Sequence, residues 1–267
     1  MATLAAGTDG RIGFAAAIIQ PGRKSAVRGV RLDERFPMQS VYKVPIAMAV
    51  LARVDAGKLG LGDSVQVRVS DLAPGYSPIR DDYPAGRTFT LRDLLARMVS
   101  RSDNTACDVL LRLVPPAEVT AWLRGIGVDS LVVACDEKTM AGDEHLQYRN
   151  WATPAGVITL LQALDAGKGL TPASRGMLLA WMSATTIAPD RIKGQLPPGT
   201  PVAHKSGLSR TMNGRTAATN DIGLVSLPDG RTMAVAAFVA ESKADVAARE
   251  GVIAGLTRLA WDAAVGK

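Results

Sequence analysis

The hydrophobic pattern changes period twice along the chain. At the start, GRIGFAAAII (10–19) and SAVRGVRL (25–32) read as two strands joined by a turn around Pro21-Gly22. From about Val41 to Ala56 the spacing becomes helical. The segment GDSVQVRVSDLAPGYSPIRDDYPAG (62–86), rich in Gly, Pro and Asp, reads as irregular. Thr90 is placed to cap a helix over LRDLLARMVSR, and Asp103 or Asn104 to cap one over TACDVLLRLV. PAEVTAWLRGIG, PAGVITLLQALDAG and PASRGMLLAWMSA extend the helical middle. Between the first two of these, residues 134–152 (ACDEKTMAGDEHLQYRNWA) have no clear period, and a loop of that length is functional or disordered. PVAHKSG, TAATNDIGLVSLP and TMAVAAFVA then predict strands around a Pro228-Asp229-Gly230 turn, and ADVAAREGVIAGLTRLAWDAAV closes as an amphipathic helix.

Strands at both ends with helices between them imply an α+β fold: one sheet built from the two termini and a helical insertion. With 267 residues and 47% hydrophobic content, the chain can bury a sizeable core. No apolar run approaches the ~18 residues that a membrane span needs. No charged region followed by an apolar one opens the sequence, so no signal peptide is visible, which by itself leaves the compartment open. The net charge of +6 is spread without a Lys/Arg block or interleaved aromatics, which argues against a nucleic-acid partner. Cys107 and Cys135 have no metal spacing; two buried thiols and a single bridge both remain open.

Four features carry candidate chemistry. In FPMQSVYKVPIAMAV, Ser40 and Lys43 stand one helical turn apart at a helix start, so the amine can reach the hydroxyl. Unpaired N–H groups and the helix dipole there favour the negative charge of an attacking serine. A chain with 14 serines and 9 lysines contains about 0.5 such Ser-x-x-Lys pairs by chance, so the pair needs support. Ser102-Asp103-Asn104 offers a second hydroxyl and a carboxamide at another helix start, and Lys205-Ser206-Gly207 ends a predicted strand with a cation, a hydroxyl and room for close backbone approach. Glu137 lies in the long aperiodic loop. Singly, these read as a cap, a solvated strand end and a loop carboxylate. His145 and His204 are the only histidines, and no G-x-S-x-G, H-x-H or H-E-x-x-H occurs, so neither a Ser-His-Asp triad nor a zinc site is supported.

Together and in this order, the four features resemble the motif set of the class A serine β-lactamases and penicillin-binding proteins. RVDAGKLGLGDSV, SRSDNTACDVLL and TNDIGLVSLPDG extend the resemblance to class A over nearly the whole chain, with KSG where KTG is more usual. FPMQSVYK, QYRNW and TAATNDIG are most similar to the PER-type extended-spectrum branch. Two departures fall in the loop. Ala141 stands where the family has a water-holding Asn, and Cys135 and Asn150 replace the Arg–Asp pair that clamps the loop neck. The family also opens on a longer helix than MATLAAGTDG supplies, which leaves truncation and divergence both open.

The resemblance implies an antiparallel sheet flanked by helices, a mostly helical subdomain, and an active site between them. It implies one domain over 1–267, with a discontinuous α/β part (1–35 and 184–267) and a helical part (36–183) carrying the Glu137 loop. The implied reaction is hydrolysis of the β-lactam ring of penicillins and cephalosporins through a Ser40 acyl-enzyme. Ser40, Lys43, Ser102, Glu137 and Lys205 are the implied catalytic set, with the N–H groups of Ser40 and Leu208 as the oxyanion hole. Tyr76, Asn104, Ser206, Gly207, Leu208, Ser209 and Arg191 are the implied substrate contacts, Ser206 and Arg191 toward the substrate carboxylate because Asp221 occupies the more usual arginine position. No metal and no cofactor are implied, and the expected protein is a periplasmic or secreted monomer. A peptidoglycan DD-peptidase and a non-hydrolysing β-lactam sensor are the alternatives. Glu137 discriminates against the first, since hydrolysis needs a base on the loop, and the lack of a membrane span against the second.

Overall fold

The computed structural model describes residues 8–20 and 25–266; the turn expected at Pro21-Gly22 and the opening residues 1–7 lie outside the described residues. Strands β1 (Arg11–Ile19) and β2 (Arg28–Val30) come first, and the short β3 (Phe36–Pro37) leads through a 3-10 turn over Gln39–Tyr42 into helix α1 (Lys43–Asp55). The helix therefore begins two residues later than the pattern predicts, because the Ser40 segment is wound as a tighter turn. The stretch read as irregular contains β4 (Ser64–Val67), helix α2 (Pro78–Asp82) and the start of an antiparallel pairing with β5 (Arg87–Thr90). A four-residue strand whose partner lies twenty residues on leaves too little periodicity to detect.

Helices α3 (Leu91–Ser100), α4 (Asn104–Leu113) and α5 (Pro116–Gly125) follow, then β6 (Leu131–Val132). Thr90 caps α3 through the Asp93 N–H, as the sequence predicts, and of the two candidates Asp103 and Asn104 it is Asp103 that caps α4, through the Ala106 N–H. The aperiodic loop holds a short helix α6 (Glu137–Gly142), a 3-10 segment over Glu144–Arg149 and β7 (Trp151–Ala152), elements too brief to imprint a period. Helices α7 (Pro154–Asp165) and α8 (Pro172–Ser183) lead to β8 (Val202–Leu208), a small hairpin of β9 (Thr211–Met212) and β10 (Arg215–Thr216), β11 (Thr219–Ser226), β12 (Thr232–Ala240) and the closing helix α9 (Val246–Ala264).

The sheet is five-stranded and antiparallel, in the order β2-β1-β12-β11-β8. The two ends of the chain do build one sheet: Arg11 lies opposite Ala240 and Ile19 opposite Thr232. Side chains alternate between two buried faces. Met233, Val235, Ala237 and Val239 join Ile12 and Phe14 under α9, whereas Ala234, Ala236, Phe238 and Ala240 join Ala15 and Ala17 toward the helical part. Burial on both faces explains why TMAVAAFVA reads as an unbroken apolar run. Among the described residues no helix is long and apolar enough to cross a membrane.

Helix α1 is buried from Lys43 through Leu51 on every side, which makes it the axis around which the other helices pack. Pro45 sits in its first turn, where a missing N–H costs nothing. Cys107 and Cys135 are separate buried thiols, so the bridge left open above is not formed. The Cys107 thiol donates to the Tyr42 hydroxyl, and burial pushes the Cys135 thiol up to about 11.

Gly13 tests the sheet packing. A Cβ there would lie 2.4 Å from the Phe36 ring, which stacks on Phe238 at 5.4 Å. With β1 fixed between β2 and β12, the ring has nowhere to go. Gly13→Ala should lose about 1–3 kcal/mol in urea unfolding at unchanged m-value; an unchanged midpoint would show that the ring repacks freely.

Candidate active site

The turn that carries Ser40 is fixed by its neighbours on three sides. Asn220 on β11 donates through Nδ2 to the carbonyls of Pro37 (2.8 Å) and Met38 (3.1 Å), and the Met38 N–H bonds the Asn150 carbonyl at 2.9 Å. Gln39 takes φ +47°, a conformation that costs a non-glycine residue on the order of 1–3 kcal/mol and persists only when surroundings dictate it. Its side chain is held by Gln147 of the loop at 2.6 Å. On the other side runs β8. A Cβ on Gly207 would sit 2.6 Å from the Met38 carbonyl and 3.2 Å from the Ser40 nitrogen. Glycine is what lets the third motif lie directly against the serine, as the sequence predicts.

Lys43 collects the other motifs. Its side chain is fully buried, and a buried ammonium must be paired. Nζ lies 3.1 Å from Ser40 Oγ, 2.8 Å from the Ser102 carbonyl, 2.7 Å from Asn104 Oδ1 and 3.0 Å from Glu137 Oε1. Three donors face four oxygens, and the Glu137 oxygen is the one that accepts no hydrogen bond of proper angle. That buried carboxylate oxygen stays available to take a proton.

Glu137 owes its position to a residue that the sequence reading passed over. Asp108, one turn beyond Asn104 on α4, accepts the N–H groups of Glu137 (2.8 Å) and Lys138 (3.1 Å) and so anchors the first turn of α6 from outside. Burial pushes the Asp108 carboxyl up to about 7, against the pull of these two bonds. Its signal in the sequence was only an acid four positions after Asn104, indistinguishable from a solvated helix face. Asp136 caps α6 through the Thr139 N–H. At the loop neck, Asn150 replaces the missing ion pair by bonding backbone: Oδ1 accepts from Ala134 and Cys135, and Nδ2 donates to the Cys135 carbonyl. Ala141 lies in the cleft wall and brings no polar group.

Ser102 is held at φ +56°, which turns its carbonyl to Lys43 and its hydroxyl to Lys205 Nζ at 2.8 Å. Lys205 is buried, and burial, reinforced by the Lys43 charge, lowers its ammonium to about 7. Asn104 uses its Nδ2 on the Pro74 carbonyl while Oδ1 serves Lys43. Leu208 and Ser209 line a cleft of about 240 Å³ with Gln39, Gly75, Glu137 and Ala141. The Ser209 hydroxyl is engaged with Ala218 backbone across the strand end. Tyr76 is exposed beside the cleft, outside its lining. Arg191 is no surface arginine: it is buried behind β8, with Nη1 on the carbonyls of Gly207 (3.0 Å) and Asn220 (2.9 Å) and Nε on Glu250. His204 is buried against Asp221, far from the role of a triad base, while His145 borders a side cavity. Among the described residues no cluster of His, Cys, Asp and Glu has metal-holding geometry.

The "Beta-lactamase enzyme family" matches residues 1–264. The chain belongs to that family. The extended-spectrum β-lactamase PER-1 of Pseudomonas aeruginosa is 41% identical over 231 residues, covering 85% of this chain and 75% of the relative. β-Lactamase VEB-1 of the same organism is 37% identical over 258 residues, covering 95% and 85%. A β-lactamase structure from Chitinophaga pinensis superposes with a TM-score of 0.93 at 44% identity, covering 98% of this chain and 97% of that one. The structure of the TLA-1 extended-spectrum β-lactamase gives 0.91 at 36% identity, covering 96% and 94%. The α+β architecture is thus the class A β-lactamase fold, and the enzyme is a hydrolase of the β-lactam ring.

Lys205 gives this β-lactamase a pH signature. A lysine lowered to about 7 is cationic below that pH and neutral above it. If the cation is what attracts an anionic β-lactam, kcat/KM should fall on the alkaline side with a midpoint near 7, since kcat/KM reports the free enzyme. Lys205→Arg keeps the charge to above about 12 and should move that limb up by more than about two pH units. An alkaline limb that does not move assigns it to another group.

Proposed function

We propose that this β-lactamase works through an acyl-enzyme on Ser40, with the residues anticipated from the sequence in their anticipated roles. Ser40 Oγ attacks the lactam carbonyl and its proton passes to Lys43 or, through a water, to Glu137. The two bases are one system, because a proton crossing the 3.0 Å between them exchanges which is free. The N–H groups of Ser40 and Leu208 receive the oxyanion, each such donor being worth ~3 kcal/mol in the transition state. As the C–N bond breaks, the nitrogen takes the Ser102 proton and Ser102 recovers one from Lys43, the proton first lifted from Ser40, while Lys205 holds the Ser102 oxygen from behind at 2.8 Å; Glu137 is left free for the second step. Glu137 then takes a proton from the water that attacks the ester, and Ser40 leaves with its own proton restored.

The observation that carries this reading is the single ammonium shared by Ser40 Oγ and the otherwise unbonded oxygen of Glu137. A nucleophile's activator and a hydrolytic base in contact favour turnover over the slow deacylation of a DD-peptidase or sensor. Asn104 and the Leu208–Ser209 strand end would hold the acyl side chain, Tyr76 the cleft rim, and Ser206 with Arg191 the substrate carboxylate. The cleft adjoins a second cavity of about 260 Å³ that shares Glu144, Gln147, Arg210 and Met212 with it. That extra room supports an extended-spectrum cephalosporinase; PER-1 and TLA-1 are named as extended-spectrum β-lactamases. We also read the chain as a monomeric periplasmic or secreted enzyme, built of an α/β part (1–35, 184–267) and a helical part (36–183).

Mass spectrometry with a slowly hydrolysed cephalosporin should find one adduct, on the peptide carrying Ser40, and none in Ser40→Ala. Glu137→Gln should still acylate and then stall, giving a burst of about one equivalent and a steady rate lower by at least about a hundredfold. Wild-type steady turnover in Glu137→Gln would remove Glu137 as the deacylation base.

A further inference from the structure

The mechanism makes no use of the buried pair of His204 and Asp221. His204 and Asp221 are both fully buried, and His204 Nδ1 lies 2.9 and 3.0 Å from the two Asp221 oxygens. A carboxylate only accepts, so Nδ1 carries the hydrogen. Nε2 of the same ring is buried without a partner. This ring is therefore dedicated to a single contact, since nothing else among the described residues bonds it.

The location of that contact matters. His204 and Ser206 are two apart on β8 and share a face, and the register sets Asp221 directly opposite Ser206. Asp221 Oδ2 also accepts the Ile192 N–H at 3.2 Å, and Ile192 follows Arg191. Asp221 thus touches the arginine's own segment while Arg191 Nη1 spans Gly207 and Asn220 on the two flanking strands. Glu250 already takes Arg191 Nε, and Arg249 is occupied with Thr219 and the Ala244 carbonyl. Nη2 of Arg191 makes no bond to the protein among the described residues. Deprived of the imidazole N–H, Asp221 would keep only the Ile192 amide, and a buried carboxylate so under-paired draws on a neighbouring cation.

We propose that His204 is a positioning residue for substrate binding: by saturating Asp221 it keeps that carboxylate off Arg191, leaving the arginine and Ser206 to the carboxylate of the β-lactam. This rests on the reading of Ser206 and Arg191 as the carboxylate subsite. Asp221 contributes through the same bond, locking the Arg191 segment to β11 by way of Ile192. The two side chains act as a unit. Neither touches the reacting atoms, so their effect falls on recognition of one substrate group and spares acyl transfer.

The test compares a chromogenic cephalosporin with its carboxylate methyl ester on wild type, His204→Leu and His204→Asn. Leu fills the space without a donor; Asn places an amide N–H where Nδ1 stands. Wild type should prefer the free acid. His204→Leu should lose at least about tenfold in kcat/KM on the acid, mainly through KM, and stay within about twofold on the ester. His204→Asn should recover the acid to within about threefold of wild type. Should His204→Leu fail to fold, His204→Met reads the same acid–ester contrast, and adding Asp221→Asn, which removes the competing charge, should restore the acid to within about threefold of wild type. Equal losses on acid and ester, or no loss on the acid, overturn the proposal and leave the subsite standing. A wild type indifferent to esterification removes the subsite and the proposal with it.

Discussion

A lysine ammonium with no access to water is the constraint on which the active site depends. Lys43 is buried because α1 is buried all round, and α1 is buried because its residues from Val44 to Leu51 are apolar on every side. Taking a charge out of water costs several kcal/mol unless it is paired and hydrogen-bonded. The chain meets that cost by delivering oxygens from three other segments: the Ser102 carbonyl and Asn104 side chain from the start of α4, Glu137 from α6, and Ser40 from the turn below. The burial that stabilises the helical part thus forces Ser40, Ser102, Asn104 and Glu137 together around one ammonium. Catalysis and folding draw on the same contacts.

The sheet side of the site obeys a different rule, that of close approach. Gly207 brings β8 against the Ser40 turn, and Asn220 holds that turn by two carbonyls from the next strand. Asn150 ties it to the neck of the Glu137 loop. The strained backbones of Gln39 and Ser102 sit at the two places where these constraints meet. Strain there is consistent with groups held for reaction, because a relaxed turn would aim the Ser102 hydroxyl and carbonyl elsewhere.

Much of this was legible in the sequence, for identifiable reasons. The long elements were disclosed by their patterns, Met233–Ala240 as an unbroken apolar run and α3 by an apolar face repeated at helical spacing. Thr90 and Asp103 announced their helices by residue type alone. The motif set singled out Ser40, Lys43, Ser102, Glu137 and Lys205 by residue type and spacing, and the structure links the five through Lys43 and the Ser102–Lys205 contact. What stayed hidden depends on partners distant in the chain. Asp108 becomes an anchor only when α6 folds over α4, and Asn150 becomes a clamp only when the loop closes on itself. The His204–Asp221 contact required the β8–β11 register, which no local pattern encodes. The β4–β5 pairing and the two-residue strands β3, β6 and β7 were too short to carry a period.

The central claim is that the Lys43 charge holds the α4 start and the Glu137 helix in place around the nucleophile. Hydrogen–deuterium exchange on wild type and Lys43→Ala measures this without reference to activity. The account predicts that protection falls selectively in residues 102–104 and 137–142, while β11 and β12 exchange as in the wild type. Unchanged protection of residues 137–142 in Lys43→Ala would contradict it, and would leave Asp108 and Asn150 as the groups that build the site.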